Sequence, residues 1–536
     1  MRKLPLFCLL LLGSLASAED RTQAIREYLS AEFPAEIDHI SVEAETISVT
    51  GSSQSAAGVF LAKVPVWKDI SDPARFVDPV PVEVKGSRFN LSLPRQGDLT
   101  SRWQLVRKSG EGFTPLSSMR YADEVPCRDP QLPAAKPKSK KGLGGWNADR
   151  IPGELEALGI SAVTVNVVLN PLISLQPEAN TFPIHWNGRT YHARESALAP
   201  LDETFREAER NGVMVSAILL VGNPAKGADE ITRLLGHPDA TKDGHFAMPN
   251  LTSEEGASAY SAILNLMAER WSKSGGPHGR VHHWIMHNEV DAGWEWTNAG
   301  TKSAEEYMDL YQRSMRMMGL IARQYDPNAL PFISLTHHWV ERGRKEWYGS
   351  KRLLELLGNF GETEGNFPWG LAYHPYPQDL TNPRTWEDEQ ATSRFSTAKI
   401  TPKNLEVLDA WMKTPEMLYQ GKVRPVHLSE NGFNSKDYSE TVLAEQAAGM
   451  ALAWKKISGL SSIESWQYHN WIDNRHEGGL RIGLRRFPDD EQEPLGKKPI
   501  WHLYQALGTD REDQACAPYL KVIGISSWDK ATRPMR

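Results

Sequence analysis

Two glutamates stand out for the company they keep. Glu289 ends the run His283-Trp-Ile-Met-His-Asn-Glu289, directly after Asn288. Glu430 ends a second run, Pro425-Val-His-Leu-Ser-Glu430, 141 residues further along. One carboxylic acid to hand over a proton and one carboxylate to attack carbon, or to activate water, are what cleavage of a glycosidic acetal requires. Glutamate suits both tasks, because its reach is long and its surroundings can move its pKa either way. At a separation of about 5 Å the second carboxylate acts as a nucleophile and configuration is retained, whereas a wider gap leaves room for water and gives inversion. Asp291 and His287 flank the first glutamate and could tune its ionisation.

For such a pair to meet, some scaffold must bring distant segments together. After Lys141 the chain alternates strand-like and helix-like segments. Eight strands are expected, over 142–146, 162–169, 214–221, 281–289, 331–337, 369–374, 425–430 and 463–469. Helices are expected over 201–211, 252–272, 305–325 and 440–457, with a closing helix over 499–508. This pattern predicts an α/β fold, a (β/α)8 TIM barrel over 142–510. An open doubly wound sheet is the alternative, weakened because no Gly-rich phosphate loop follows an early strand. A barrel gathers its chemistry at the C-terminal strand ends. Read there, the expected strands end in Asn288-Glu289, His337, Tyr373-His374-Pro375-Tyr376, Glu430 and the stretch Trp466 to Trp471.

With those residues in place, the chain resembles clan A of the retaining glycoside hydrolases, and it is similar to exported bacterial proteins of an uncharacterised family. The resemblance covers roughly 140–510. It implies that Glu289 is the acid/base, Glu430 the nucleophile and Asn288 the partner of a sugar 2-hydroxyl. It further implies that Tyr376 orients Glu430, that His374 belongs to the same aromatic/His element, and that Trp466 or Trp471 floors a sugar subsite. Two features depart from the clan: Val290 stands where many members have proline, and no arginine lies in 162–169. His337 is a further candidate for substrate hydroxyls, and Trp294 and Trp296 for stacking on sugar faces.

Two other chemistries fit parts of the same sequence. The histidines at 282, 283, 287, 337, 338, 374, 427 and 469 lie on or near the expected strands, so a metal-dependent barrel hydrolase is an alternative. No HExxH is present, and no metal ligand set or cofactor is expected. A non-catalytic carbohydrate-binding protein is the other alternative.

The remaining sequence sets the context. Residues 1–18 read as a signal peptide: Arg2 and Lys3, the apolar run Leu6 to Leu12, then Ala16-Ser17-Ala18. That predicts a secreted or periplasmic protein without membrane insertion. Short alternating strands over 19–125 predict a β-rich, sandwich-like domain behind a short helix at 21–33, its role structural packing or accessory sugar binding. A Pro/Lys-rich linker is expected over 126–141 and a tail over 511–536. The insertion at 171–200 could wall a cleft or decorate the surface. The net charge of -7 speaks against nucleic acid as a partner and is neutral towards an oligo- or polysaccharide. Cys127 and Cys516, the cysteines outside the leader, could pair or stay free.

Overall fold

The computed structural model describes residues 18–531 except 56, 96 and 98. The expected signal peptide therefore lies outside the described residues, apart from Ala18. Eight parallel strands form the centre: β1 Lys141–Leu143, β2 Ala162–Val168, β3 Met214–Gly222, β4 His283–Met286, β5 Leu330–Thr336, β6 Gly370–His374, β7 Val426–Asn431 and β8 Ile463–Tyr468. Each pairs with the next, and β8 pairs with β1, so the sheet closes into a barrel. The crossovers carry α2 Glu154–Leu158, α3 Glu195–Arg210, α4 Glu254–Trp271, α5 Ala304–Ala322, α6 Ser350–Glu364, α7 Leu405–Trp411 and α8 Glu440–Ile457, and α9 Pro499–Ala506 completes the ring.

The strands are apolar on both faces because both are buried, as parallel sheets require. Outward residues such as Val163, Val165, Leu219, Trp284, Leu371 and Trp466 join the helices in one large core. Inward, Ile218, Leu220, Ile285, Phe332 and Ala372 form a separate plug. Gly370 supplies the room for the Phe332 ring, since a Cβ there would collide with it. Above the plug the inward residues turn polar, and that change of character marks the mouth.

α1, Ala18–Ser30, precedes two antiparallel sheets. One holds Ala35–Val42, Thr46–Ser53 and Arg88–Pro94; the other holds Val59–Val64, Val77–Pro81, Arg102–Ser109 and Gly112–Pro115. This β-rich module packs on α5. Every residue of α5 from Glu305 to Ala322 is buried, although many are polar. The reason is that the barrel covers one face and the module the other. Arg26 pairs with Glu305 at 2.8 Å, Arg313 donates to the Val66 carbonyl at 3.0 Å, and Tyr28 donates to Glu364 on α6 at 3.2 Å.

Three outer segments complete the chain. Between the module and β1, residues 126–140 form no helix or strand, but they are tied to the barrel. Asn328 donates to the Leu132 carbonyl at 2.6 Å, and the Lys140 ammonium donates to the Ile457 and Leu460 carbonyls at 2.7 Å. The expected tail folds instead into α10, Glu512–Ile523, with the Trp454 indole donating to Glu512 at 2.7 Å. The 171–200 insertion is a hairpin, Thr181–Trp186 with Arg189–Arg194, that lies on α4 through Tyr191 and Ser258. Cys127 and Cys516 are both free thiols. Among the described residues no helix is long and apolar enough to cross a membrane.

Candidate active site

The two glutamates reach the barrel mouth by different backbone devices. β4 stops at Met286, so Glu289 does not end a strand as expected but sits on a tight turn beyond it. His287 and Glu289 both take left-handed φ values, 66° and 39°. Non-glycine residues pay for that conformation, and such strain concentrates at functional sites. Asp291 pins the turn. It accepts from the Thr336 amide at 2.9 Å, the Thr336 hydroxyl at 2.6 Å and the Ser350 hydroxyl at 2.9 Å. Burial, reinforced by the charge of Glu289, lifts its pKa to about 6 despite these donors. The Glu289 amide donates to Ser334 on β5 at 3.0 Å.

Glu430 is aimed by a bulge. Leu428 pairs with Trp466 and Asn431 with Tyr468, so one residue too many occupies β7 at Ser429-Glu430. Consecutive strand residues normally point to opposite faces. The bulge re-aims one of them, and both Ser429 and Glu430 meet His374. Asn431 clamps the bulge by donating to the Pro375 carbonyl at 2.6 Å and accepting from the Trp466 indole at 2.9 Å.

His374, at the end of β6, joins the two acids. Its Nδ1 lies 2.9 Å from Glu289 Oε1 and 3.9 Å from Glu430 Oε2, and its Nε2 lies 3.0 Å from the Ser429 hydroxyl. One oxygen of each glutamate and one nitrogen of His374 all lie within 4.8 Å of one another. Burial would depress the imidazole, but Glu430 and Glu289 outweigh it and raise its pKa. Tyr376 donates its hydroxyl to Glu430 Oε1 at 2.8 Å. Burial raises the Glu430 pKa, and the imidazoles of His469 and His374, with the Tyr376 hydrogen bond, more than reverse that and hold it below its ordinary value.

The other expected site residues divide. Asn288 is half-buried beside Glu289, and its Oδ1 is a buried acceptor without a donor. A ligand hydroxyl would satisfy it. His337 stands at the end of β5 with its ring 4.3 Å from that of His338, and burial keeps it neutral. Trp466 does not face the mouth. The strand period puts Ser465 and Gln467 inward and Trp466 outward, where it is fully buried against Trp454 and Tyr504. Trp471 is also fully buried in the core, so neither ring offers a face to a sugar. His287 points away too, its Nδ1 3.1 Å from the Leu219 carbonyl and its Nε2 3.4 Å from Tyr260 on α4. Trp294 and Trp296 are half-buried; Trp294 lines a separate cleft of about 900 Å³ shared with Trp347, and Trp296 stacks on Phe246.

Residues 133–531 match the model of DUF5722, a family of unknown function. The chain belongs to that family. No curated protein sequence matches it. Among solved structures it is similar to a family 39 glycoside hydrolase from Bacteroides cellulosilyticus WH2, at 13% identity and a TM-score of 0.46, over 89% of this chain and 83% of that one. A glucosidase from Croceicoccus marinus is similar at 11% identity and a TM-score of 0.44, over 70% and 67%. A β-glucuronidase from Bacteroides uniformis is similar at 10% identity and a TM-score of 0.38, over 88% of this chain, which spans about half of that protein, 49%. The (β/α)8 assignment stands on the strand pairing of the DUF5722 protein itself.

The mouth holds further polar residues, of which Glu477 escaped the sequence. Asn166 on β2 is exposed, in phase with inward-facing Thr164. His469, just past β8, and Glu477, in the loop after it, are 3.3 Å apart. His469 is among the histidines that the sequence places on or near the strands, and the inward phase of β8 sets it at the mouth. No spacing rule points to Glu477.

Proposed function

We propose that the protein is a retaining glycoside hydrolase acting on an oligo- or polysaccharide. The observation that carries this reading is the pair itself: Glu289 and Glu430, with oxygens within 4.8 Å across the mouth of a parallel barrel. Retaining enzymes hold their carboxyl groups about 5–5.5 Å apart, and inverting ones roughly 6.5–9.5 Å. Glu430, held ionised and oriented by Tyr376, attacks the anomeric carbon. Glu289 delivers a proton to the leaving oxygen. His374 Nδ1, 2.9 Å from Glu289 Oε1, orients that carboxyl for the transfer. Once the glycosyl group is on Glu430, Glu289 takes a proton from water, which attacks the same carbon and frees the sugar. The unmatched Oδ1 of Asn288 receives a hydroxyl of the ring being cleaved. The basic start and apolar run of residues 1–18 support export to meet such a substrate.

The Glu289, His374 and Glu430 atoms are also close enough together to hold a cation. One observation favours the hydrolytic pair: both His374 nitrogens already have partners, Nδ1 with Glu289 at 2.9 Å and Nε2 with the Ser429 hydroxyl at 3.0 Å. A panel of aryl glycosides and polysaccharides tests the proposal. Wild type turns over at least one, activity survives chelation, and Glu289→Gln and Glu430→Gln abolish it. An inert wild type, or variants matching it, would sink the reading.

A further inference from the structure

A third carboxylate stands behind the candidate nucleophile, and the fold makes special room for it. Glu477 Oε2 lies 3.3 Å from His469 Nε2, while Glu477 Oε1 accepts from Asn470 at 2.9 Å and from Asn474 at 3.1 Å. Three glycines from two other strand ends surround this turn. A Cβ at Gly144 would press on His469 Nδ1 at 3.3 Å, one at Gly145 would collide with the Asn470 side chain, and one at Gly432 would collide with the His469 carbonyl. The His469 amide donates to the Asn431 carbonyl at 2.8 Å, which ties the turn to the bulge that carries Glu430.

We infer that His469 and Glu477 form a positioning dyad. Glu477, fixed by two asparagines, anchors the His469 ring, and the His469 main chain, bonded to Asn431, sets that ring against the bulge that carries the Glu430 carboxylate. This rests on the proposed role of Glu430 as nucleophile. The charged groups acting on His469 are Glu477 on its own loop, Glu430 on β7 and Glu289 after β4, with the His374 imidazole on β6 beside the same two acids; Gly144 after β1 and Thr164 on β2 are neutral. Burial alone would depress the imidazole, but Glu430 and Glu477 push its pKa up to about 9. In turn His469 is the foremost of the groups that lower the Glu430 pKa. The dyad touches neither substrate nor leaving group in this account. Its effect passes through Glu430.

Two measurements on the full chain test the inference. In ¹³C-histidine NMR, the resonance that disappears in His469→Gln titrates above pH 8 in wild type. Glu477→Gln and Glu430→Gln each lower its midpoint by about one pH unit or more. On a glycoside that wild type turns over, His469→Gln moves the acid limb of kcat/KM upward by about one unit and lowers kcat by roughly tenfold, with KM little changed. A His469 midpoint below 7 in wild type, or one unmoved by Glu430→Gln, overturns the dyad whether or not a substrate is known. An unshifted acid limb overturns it too. An inert wild type would instead overturn the hydrolase reading and leave the titration to decide the dyad.

Discussion

Two of the buried charge clusters among the described residues are built on opposite rules. One lies between the β-rich module and the barrel, where α5 and α6 bring Asp309, Arg313, Arg316 and Glu364 against Arg102 and Tyr28. The other is the barrel mouth, with Glu289, Glu430 and Glu477 against His374, His469 and Tyr376. At the interface the cations are guanidiniums, which do not give up their protons. Asp309 is paired with Arg313, and Arg316 lies over Tyr121 at 4.8 Å and Phe367 at 4.0 Å. At the mouth the basic partners are imidazoles, which exchange protons, Tyr376 donates a hydrogen bond, and Glu430 and Glu477 keep 23% and 33% of their side chains exposed. Permanent charges in a closed interface fix a geometry. Titratable partners at an open mouth can move a proton.

Substitution should separate the two clusters. The largest effect is expected at the mouth: Glu289→Gln lowers kcat/KM by about 10²–10⁴-fold and Glu430→Gln by at least as much, while the melting temperature holds or rises. At the interface the pattern reverses. Arg313→Met leaves the buried Asp309 without its direct partner, and costs about 3–5 kcal/mol in a denaturant titration with kcat per folded molecule unchanged. Removing both partners, Arg313→Met with Asp309→Leu, recovers most of that loss. If the single variant is as stable as wild type, the interface pair is not the strut described here.

Tyr376→Phe comes next. It removes one charge-assisted hydrogen bond from Glu430, about 1.5–3 kcal/mol, so kcat falls by roughly tenfold or more and the acid limb of the pH profile moves upward. The smallest effect is in stability against pH. His469 has a folded pKa of about 9 against an ordinary 6.5. A raised folded pKa means its contribution is fully present below about 6.5 and is lost as pH rises towards 9. The melting temperature should decline over that window in wild type and less steeply in His469→Gln. Equal slopes would show that the imidazole is not held by its carboxylates.

Much of this was legible before any coordinates. The barrel could be read because its strands are apolar on both faces, interrupted by helical periods, and the expected spans fall within a few residues of those observed. Glu289 and Glu430 could be read because polar residues gather at one end of those runs. What was hidden turns on single-residue phase and on loops. Trp466 looks like a subsite floor until the pairing of β8 shows that it faces the helices. The bulge that turns Glu430 inward is an extra residue with no sequence mark, and nothing in the sequence marks the positive φ of His287 at which the short β4 ends. Glu477 sits eight residues beyond His469 in a loop, where no periodicity constrains it. The module's packing was equally silent, since the helical spacing of α5 does not show that the barrel covers one face and a module ending 189 residues earlier, at Pro115, covers the other.

The central claim is that Glu289 and Glu430 work as an acid/base and a nucleophile on the same anomeric carbon. It is tested most directly by ¹H NMR of the first sugar released from a glycoside that the wild type hydrolyses, recorded before mutarotation. The account predicts that the product appears with the anomeric configuration of the substrate. First appearance of the opposite anomer would contradict it.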